Sequence, residues 1–258
     1  MRIMRIKKNK PHNNFFKLNI DAEKKGGKRM PLLELKKVKK IYQQGKISVP
    51  ALRGIDLTVE EGEFATIFGP SGSGKTTLLN MIGCLDTPTE GEIQLNRKRI
   101  SELSKKDLAM TRRYNIGFIF QSYNLIPVLT AFENVEFAIR LIGNLSEKEI
   151  REKALKMLEE VGLKGKENRK PGELSGGEKQ RVAIARALVK EPKIVLADEP
   201  TANLDSETAQ DVIKNMVKMN EELGTTFIFS THDPQIMEYA RRFINLRDGL
   251  ISSDKRGK

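Results

Sequence analysis

One glycine-rich segment of the sequence has the residue types and spacing of a phosphate-binding loop. It matches the pattern G-x-x-x-x-G-K-[ST] at every position, with Gly69, Pro70, Ser71, Gly72, Ser73, Gly74, Lys75 and Thr76. The glycines allow backbone N–H groups to close around phosphate oxygens, Lys75 can bridge the β- and γ-phosphates, and the Thr76 hydroxyl can bind Mg²⁺. The strand-like residues 64–68 precede the loop and the helical residues 77–82 follow it, which is the context that a nucleotide-binding loop requires.

Two adjacent carboxylates follow another short apolar segment, residues 194–197. Because successive strand residues point to opposite faces, Asp198 and Glu199 are suited to different tasks. Asp198 can support Mg²⁺ through its water shell, and Glu199 can orient and deprotonate an attacking water. The alternative is an acid pair that caps a following helix. The phosphate loop in the same chain favours the catalytic interpretation.

A third segment, residues 174–181, reads LSGGEKQR and precedes a predicted helix over Val182–Leu188. Ser175, Gly176 and Gly177 at a helix start would leave several N–H groups available to an anion. The chain therefore contains two helix N-termini suited to phosphate. One nucleotide could lie between them, and the spacing leaves open whether both come from one molecule.

The apolar pattern predicts an α/β fold. Short apolar strands at residues 64–68, 116–120, 194–197 and 226–229 alternate with helical stretches, which is typical of a parallel sheet covered on both faces. From about residue 127 to residue 188 the pattern is mostly helical. We therefore expect an α/β core interrupted by a helical subdomain.

Composition and charge narrow the class of protein. The 258 residues are 38% hydrophobic and 31% charged, as expected of a soluble globular chain, and no apolar run approaches the ~18 residues of a membrane helix. The first residues are basic but lack the apolar stretch of a secretory signal, and the single cysteine, Cys84, allows no internal disulfide. Both features favour the cytoplasm.

The excess positive charge is concentrated at the N-terminus. Residues 1–30 contain ten Lys/Arg and two acids, a net charge of +8, and the other 228 residues contain 36 basic and 32 acidic groups, a net of +4. This segment is predicted to be a disordered basic tail. Alternatively, translation starts at Met30 and the tail is not part of the native protein.

The order of these motifs resembles that of the ATP-binding cassette (ABC) ATPases. The resemblance covers about residues 31–252, with a helical subdomain inserted at about 122–190, a tail at 1–30 and a C-terminal tail at 253–258. It implies a P-loop NTPase core with a mainly parallel sheet and an N-terminal antiparallel β portion. It also implies that ATP and Mg²⁺ are bound and that ATP is hydrolysed.

The resemblance assigns further roles by position. Tyr42 matches the aromatic residue that stacks on adenine, and Thr77 continues the ATP-binding loop. Gln121 matches the glutamine that contacts Mg²⁺ and the attacking water, and His232 matches the histidine at the γ-phosphate. The resemblance places two groups at the dimer interface: a loop that meets its counterpart (Leu204 and Asp205) and residues that bind ATP in trans (Ser175, Gly176, Gly177 and Glu178). The catalytic set is then Glu199, His232, Gln121 and Lys75, and the metal set is Thr76, Gln121 and Asp198.

Residues 122–135, and residues 81–86 together with 88–91, are similar to those of ATPases of the lipoprotein-release and macrolide-exporter group. The resemblance to ABC ATPases implies a head-to-tail homodimer that closes on ATP at the inner face of the cell membrane, and the similarity to this group implies that the dimer drives a separate integral-membrane permease of the same type. An ATPase of a cell-division or cell-wall-signalling complex is the alternative. A soluble ABC protein acting on nucleic acid is less compatible with the length of 258 residues, and no nucleic-acid partner is expected.

Overall fold

A computed structural model describes residues 31–257, so the predicted basic tail lies outside the described residues. In this part the elements follow one another as β1 (Leu33–Gln44), β2 (Ile47–Val59), β3 (Phe64–Phe68), α1 (Lys75–Ile82), β4 (Glu90–Leu95), β5 (Lys98–Arg99), α2 (Lys105–Asn115), β6 (Ile116–Ile119), α3 (Ala131–Ile142), α4 (Glu147–Glu160), α5 (Gly176–Leu188), β7 (Ile194–Ala197), α6 (Ser206–Leu223), β8 (Thr226–Thr231), α7 (Pro234–Met237), β9 (Arg242–Arg247) and β10 (Leu250–Arg256). Short 3-10 turns are formed by Ile100–Glu102 and Pro171–Glu173.

The strands form two sheets. The larger sheet has the order β10-β9-β3-β8-β7-β6, in which β9, β3, β8, β7 and β6 run parallel and β10 pairs antiparallel at the edge. The smaller sheet, β2-β1-β4-β5, is antiparallel throughout. The α/β fold with a mainly parallel sheet and an N-terminal antiparallel portion is thereby confirmed.

Alternate residues of the central strands enter two different apolar layers. In β7, Val195 and Ala197 join the layer that contains α3, α4, α5 and α6. Ile194 and Leu196 join the opposite layer, which contains α1, α2 and the smaller sheet. Because the side chains of a strand point alternately to its two faces, a continuous apolar run is buried on both sides. The helices α1 and α5 therefore pack on opposite faces of the larger sheet.

The helices between β6 and β7 begin at side-chain caps. Thr130 and Ser146 each accept a hydrogen bond from a backbone N–H three residues on, and Glu133 and Glu149 complete the two capping boxes. The α5 helix begins in the same way, so it starts at Gly176 and not at the predicted Val182. The pattern Ser-x-x-Glu at Ser175 was the sequence signal for this earlier start.

The C-terminal strand extends past the predicted domain end at residue 252. Arg242 in β9 bonds to Asp254 in β10 at 2.8 and 2.6 Å and to Glu63 before β3 at 2.6 Å. Arg256 also reaches Glu63, at 2.8 Å. These ion pairs attach residues 253–256 to the larger sheet. Among the helices of the described residues, none has the length and apolarity needed to cross a membrane.

Candidate functional site

The phosphate loop runs from β3 into α1 with a backbone that requires glycine at two positions. Gly69 has a φ of 152°, and a Cβ there would lie 2.0 Å from the carbonyl oxygen of Leu246. Gly74 has a φ of 104°, and its Cβ would lie 2.7 Å from the carbonyl oxygen of Ala51. Strands β2 and β9 therefore pack directly on the loop. No side chain caps α1, so the N–H groups of its first turn are suited to an anion.

The Lys75 ammonium lies over the loop that precedes it. Its Nζ donates to the carbonyl oxygens of Gly69 at 2.9 Å and Pro70 at 3.1 Å, and the residue is 7% exposed. Thr76, the next residue of α1, is exposed. The loop thus brings together a positive charge, a hydroxyl and a helix N-terminus, which are the groups that bind the phosphates of a nucleoside triphosphate.

Tyr42 from β1 lies beside this loop, because its hydroxyl interacts with the Thr77 side chain. The same hydroxyl donates to Asp86 at 2.9 Å, and Asp86 also accepts from Lys40 at 2.7 Å. Burial, together with the bond to Asp86, raises the pKa of Tyr42. The Lys40 ammonium lies 4.9 Å from the centre of the Tyr42 ring. The ring is therefore held at the phosphate loop by a charged pair.

The two predicted carboxylates follow β7 and are linked to β8 by one serine. Ser230 Oγ donates to Asp198 Oδ1 at 2.7 Å and accepts from the backbone N–H of Glu199 at 2.9 Å. The link is possible because Ala197 pairs with Phe229 in the parallel ladder. Glu199 has a φ of 45°, so the chain turns sharply between the two carboxylates. Their side chains are thereby directed to different partners.

His232 follows β8 and reaches Glu199. Its Nδ1 lies 3.2 Å from Glu199 Oε2. A cavity of about 120 Å³ adjoins this pair and is also lined by Leu204. Gln121 lies close by, since its carbonyl oxygen accepts from the Asn203 side chain at 3.0 Å. The carboxyl ends of β3, β8, β7 and β6 share one edge of the sheet, which gathers the predicted catalytic residues there.

The N-terminus of α5 is a separate anion-suited site. Ser175 Oγ caps the helix by accepting from the N–H of Glu178 at 3.3 Å, and Glu178 Oε2 accepts from the N–H of Ser175 at 2.9 Å. A Cβ on Gly177 would lie 2.4 Å from Thr208 Cγ2. Gly177 therefore permits close contact with the start of α6.

Leu204 and Asp205 form the turn into α6. Asp205 is the N-cap of this helix and accepts from the N–H of Thr208 at 2.9 Å, and this bond lowers the pKa of Asp205. Leu204 packs beside Gly176, whose Cβ would lie 3.0 Å from Leu204 Cδ2. The turn is thus attached to the N-terminus of α5.

The family of this protein follows from a comparison with known protein families. The family model described as ABC transporter matches residues 52–202, more than half of the chain. The chain belongs to the ABC transporter ATP-binding family. The resemblance drawn from the motifs is thereby confirmed, and the chain is an ATPase with the cassette fold.

The relatives of this ATPase include both separate cassettes and fused transporters. It is 46% identical over 228 residues to the ABC transporter ATP-binding protein MJ0796 of Methanocaldococcus jannaschii, covering 87% of this chain and 97% of that protein. It is 45% identical over 226 residues to the macrolide export ATP-binding/permease protein MacB of Syntrophobacter fumaroxidans, covering 87% of this chain and 32% of MacB. The chain therefore spans about a third of that MacB protein.

The fold of this ATPase is similar to a solved dimeric structure of MJ0796 bound to ADP and Pi. The TM-score is 0.81 at 45% identity, and the match covers 88% of this chain and 99% of the MJ0796 chain.

Some residues of the site were missed by the sequence analysis of this ATPase. Ser230 joins the two carboxylates to β8, and Asp86 holds Tyr42. Buried Gln180 of α5 donates to the carbonyl oxygen of Pro200 at 2.6 Å, which connects this helix to the segment after Glu199. In the sequence, the position of Ser230 two residues before His232, at a strand end, indicates a place in the site. For Asp86 and Gln180 the sequence offers no such indication, because they contact Tyr42 and Pro200 only through the fold.

A Ser230→Ala variant of this ATPase is expected to lose about tenfold in kcat with little change in KM. The substitution removes the bond to Asp198 and leaves the partly buried N–H of Glu199 without its acceptor, a change worth ~1–3 kcal/mol. Steady-state ATPase kinetics measure the effect. Ser252→Ala, which removes an exposed hydroxyl from β10, is the matched control, and an unchanged kcat in Ser230→Ala would contradict this positioning role.

A second cavity of this ATPase, of about 250 Å³, lies between β6, α3 and α5, and we call it the groove. The stacked rings of Phe118 and Phe120, with centroids 5.0 Å apart, form part of its wall together with Arg113, Arg186 and Lys190.

Two cations of the groove are more than half buried without an acidic partner. Arg186 donates to the carbonyl oxygen of Tyr123 at 2.7 Å, and Lys190 donates to that of Arg112 at 2.8 Å. Burial lowers the pKa of Arg186 and lowers that of Lys190 to about 8. Within residues 31–257, no carboxylate lies within 4 Å of either cationic group. The groove is therefore apolar and positively charged at once.

Proposed function

We propose that this chain is the ATP-hydrolysing subunit of an ABC transporter in which two copies pair head to tail around ATP and drive a separate membrane permease. One observation carries the proposal: the two phosphate-suited helix N-termini, of α1 and α5, belong to helices that pack on opposite faces of the larger sheet. Within one copy the two N-termini are therefore separate sites with different neighbours.

The surroundings of the two N-termini support this pairing. The phosphate loop contacts Leu246 and Ala51, whereas the glycines of the α5 N-terminus contact Leu204 and Thr208. A nucleotide held by α1 of one copy can therefore be contacted by α5 of another. The MJ0796 cassette has been solved as a dimer bound to ADP and Pi. We infer that the present chain forms a dimer with the same head-to-tail order.

Hydrolysis follows from the groups at the carboxyl edge of the sheet. Glu199, 22% exposed and within 3.2 Å of His232, is placed to accept the proton of an attacking water. His232 contacts the γ-phosphate, and Lys75 stabilises the negative charge that develops on it. Gln121 orients the water, and Tyr42 stacks on adenine. Loss of the γ-phosphate removes the contact with Ser175 of the other copy, so the dimer opens.

The donor set at this edge fits Mg²⁺. Thr76 provides a hydroxyl oxygen, Gln121 an amide oxygen and Asp198 a carboxylate, of which Oδ1 already accepts from Ser230. Mg²⁺ prefers oxygen ligands and is commonly bound by one or two side chains together with substrate phosphates and waters. When bound, the ion would neutralise charge on the β- and γ-phosphates. Asp198 would act on it through water, and Thr76 and Gln121 would contact it directly.

The groove is the surface we assign to the permease. Leu141 of α3 lines the groove and is 50% exposed, Phe137 on the same helix is 48% exposed, and Val128 in the turn before α3 is 72% exposed. Gln121 lies two residues after the end of β6, and the turn after it accepts a hydrogen bond from Arg186. A permease segment that combines apolar and acidic side chains would cover the apolar wall and pair with Arg186 and Lys190. Movement of that segment would be transmitted to Gln121.

A Leu141→Glu variant is expected to retain ATPase activity but to lose attachment to permease-containing membranes by about tenfold or more. A carboxylate in the apolar wall must be desolvated when the permease segment packs on it. Sedimentation of the chain with vesicles that contain the permease measures attachment. Leu250→Glu, at a similarly exposed position on β10, is the control, and equal attachment of the two variants would contradict the assignment of the groove.

The similarity to MacB supports a permease of the lipoprotein-release or macrolide-export type. Such a complex would hold the chain at the cytoplasmic face of the membrane. The test is co-expression with a four-helix permease that has a large extracytoplasmic domain, followed by purification of the complex in lipid. We expect one permease assembly with two copies of this chain and an ATPase rate that responds to the permease. A chain that remains unattached to permeases of this type would overturn the proposal.

A further inference from the structure

The N-terminus of α5 has a carboxylate at the place where a phosphate is proposed to bind. Glu178 is the third residue of the helix, and its Oε2 accepts from the N–H of Ser175 at 2.9 Å. A helix N-terminus attracts negative charge, and here Glu178 supplies one such charge from within the chain. A second anion, the γ-phosphate of ATP, would meet a like charge. The site is therefore unfavourable for ATP unless the charge of Glu178 is compensated.

Lys166 provides this compensation. It lies in the segment between α4 and the turn at Pro171–Glu173, and its Nζ forms an ion pair with Glu178 Oε1. The hydrogen bond from Lys166, followed by that from the N–H of Ser175, lowers the pKa of Glu178, so the carboxylate is ionised at neutral pH. One oxygen of Glu178 thus caps the helix, and the other is paired with the ammonium.

The segment that carries Lys166 is fixed by other bonds. The carbonyl oxygens of Glu167 and Arg169 accept from the N–H groups of Phe132 at 2.9 Å and Ala131 at 2.8 Å. These bonds connect the segment to the start of α3 independently of the Lys166 side chain. Removal of the ammonium should therefore change the charge at α5 while the backbone around it is retained.

We propose that Lys166 is a positioning residue that cancels the charge of Glu178 and so allows the N-terminus of α5 to accept the γ-phosphate of ATP from the second copy. The inference rests on the proposed head-to-tail dimer. It assigns to an exposed lysine, outside every motif identified in the sequence, control over the ATP concentration at which the dimer closes.

The experiment measures the ATP concentration for half-maximal dimer formation, by light scattering of the full chain at low salt. All variants are made in a Glu199→Gln background so that the closed dimer persists. Lys166→Gln is expected to raise this concentration about tenfold, the size of effect that like-charge repulsion across several ångströms produces in a partly hydrated site. The increase should shrink at high salt, because ions screen the repulsion.

Rescue distinguishes charge compensation from a structural role. Glu178→Gln keeps the capping box, since a Gln oxygen can also accept from the N–H of Ser175, and removes the charge. The double variant Lys166→Gln/Glu178→Gln should therefore recover the parental ATP dependence, and Lys166→Arg should retain it. The control is Lys164→Gln, which removes a lysine of the same segment that pairs with Glu159, and no effect is expected.

Two results would overturn the inference while the dimer proposal stands. One is a Lys166→Gln variant that dimerises at the parental ATP concentration. The other is a defect that Glu178→Gln does not relieve and that is independent of salt, as a purely structural role of Lys166 would produce. If the parental Glu199→Gln chain itself does not dimerise with ATP, the head-to-tail proposal fails, and the role of Lys166 fails with it.

Discussion

A Glu199→Gln variant is expected to hydrolyse ATP roughly 10²–10⁴-fold more slowly than the unaltered chain, because loss of a general base typically has this effect. ATP binding should persist, since Gln occupies the same space and the phosphate loop is unchanged. With hydrolysis blocked, ATP should accumulate between two copies. The variant should therefore elute as a dimer in the presence of ATP and as a monomer in its absence.

The measurements for Glu199→Gln are steady-state phosphate release and size-exclusion chromatography with and without ATP. The matched control is Glu222→Gln, near the C-terminal end of α6, where an exposed carboxylate faces Lys218. The control should hydrolyse ATP at the unaltered rate. Fast turnover by Glu199→Gln would show that another group accepts the proton, and Asp198 would then be the residue to test.

Replacement of Lys75 is expected to cause the second large loss of ATPase activity. In a Lys75→Ala variant, both nucleotide affinity and hydrolysis should fall, with a loss in kcat of about 10²–10³-fold or more, because a charged donor is removed from the developing negative charge. The side chain is 7% exposed and donates to the Gly69 and Pro70 carbonyl oxygens. Those carbonyls belong to the loop itself, so the fold should be retained.

Fluorescent-nucleotide titration and ATPase assays check the Lys75 prediction, and thermal unfolding verifies the fold. Lys148→Ala on α4, an exposed lysine paired loosely with Glu152, serves as the control. Unlike Glu199→Gln, the Lys75→Ala variant should form no dimer with ATP. ATP binding at the unaltered affinity would argue against a phosphate contact of Lys75.

The four strands predicted from the apolar pattern lie close to their predicted bounds. The strands β3 and β7 have the predicted bounds, and β8 extends the predicted residues 226–229 to Thr231. Helix α5 starts six residues before the predicted Val182, because the capping box of Ser175 and Glu178 stabilises a start that its two glycines by themselves disfavour. The end of the domain was placed before residue 253, since no apolar pattern marks β10. Ion pairs with Arg242, formed across the sheet, hold that strand in place.

The sequence by itself determined the phosphate loop, the carboxylate pair and the family, because these motifs consist of consecutive residues whose backbone geometry and chemistry are local. Only the tertiary structure decided which other residues contact and position these motifs. Ser230 meets Asp198 only because β8 lies beside β7, and Lys166 meets Glu178 only because the segment after α4 folds back to the start of α5. Strand order and chain reversal arise from the burial of two apolar layers across the whole chain, so no single segment encodes them.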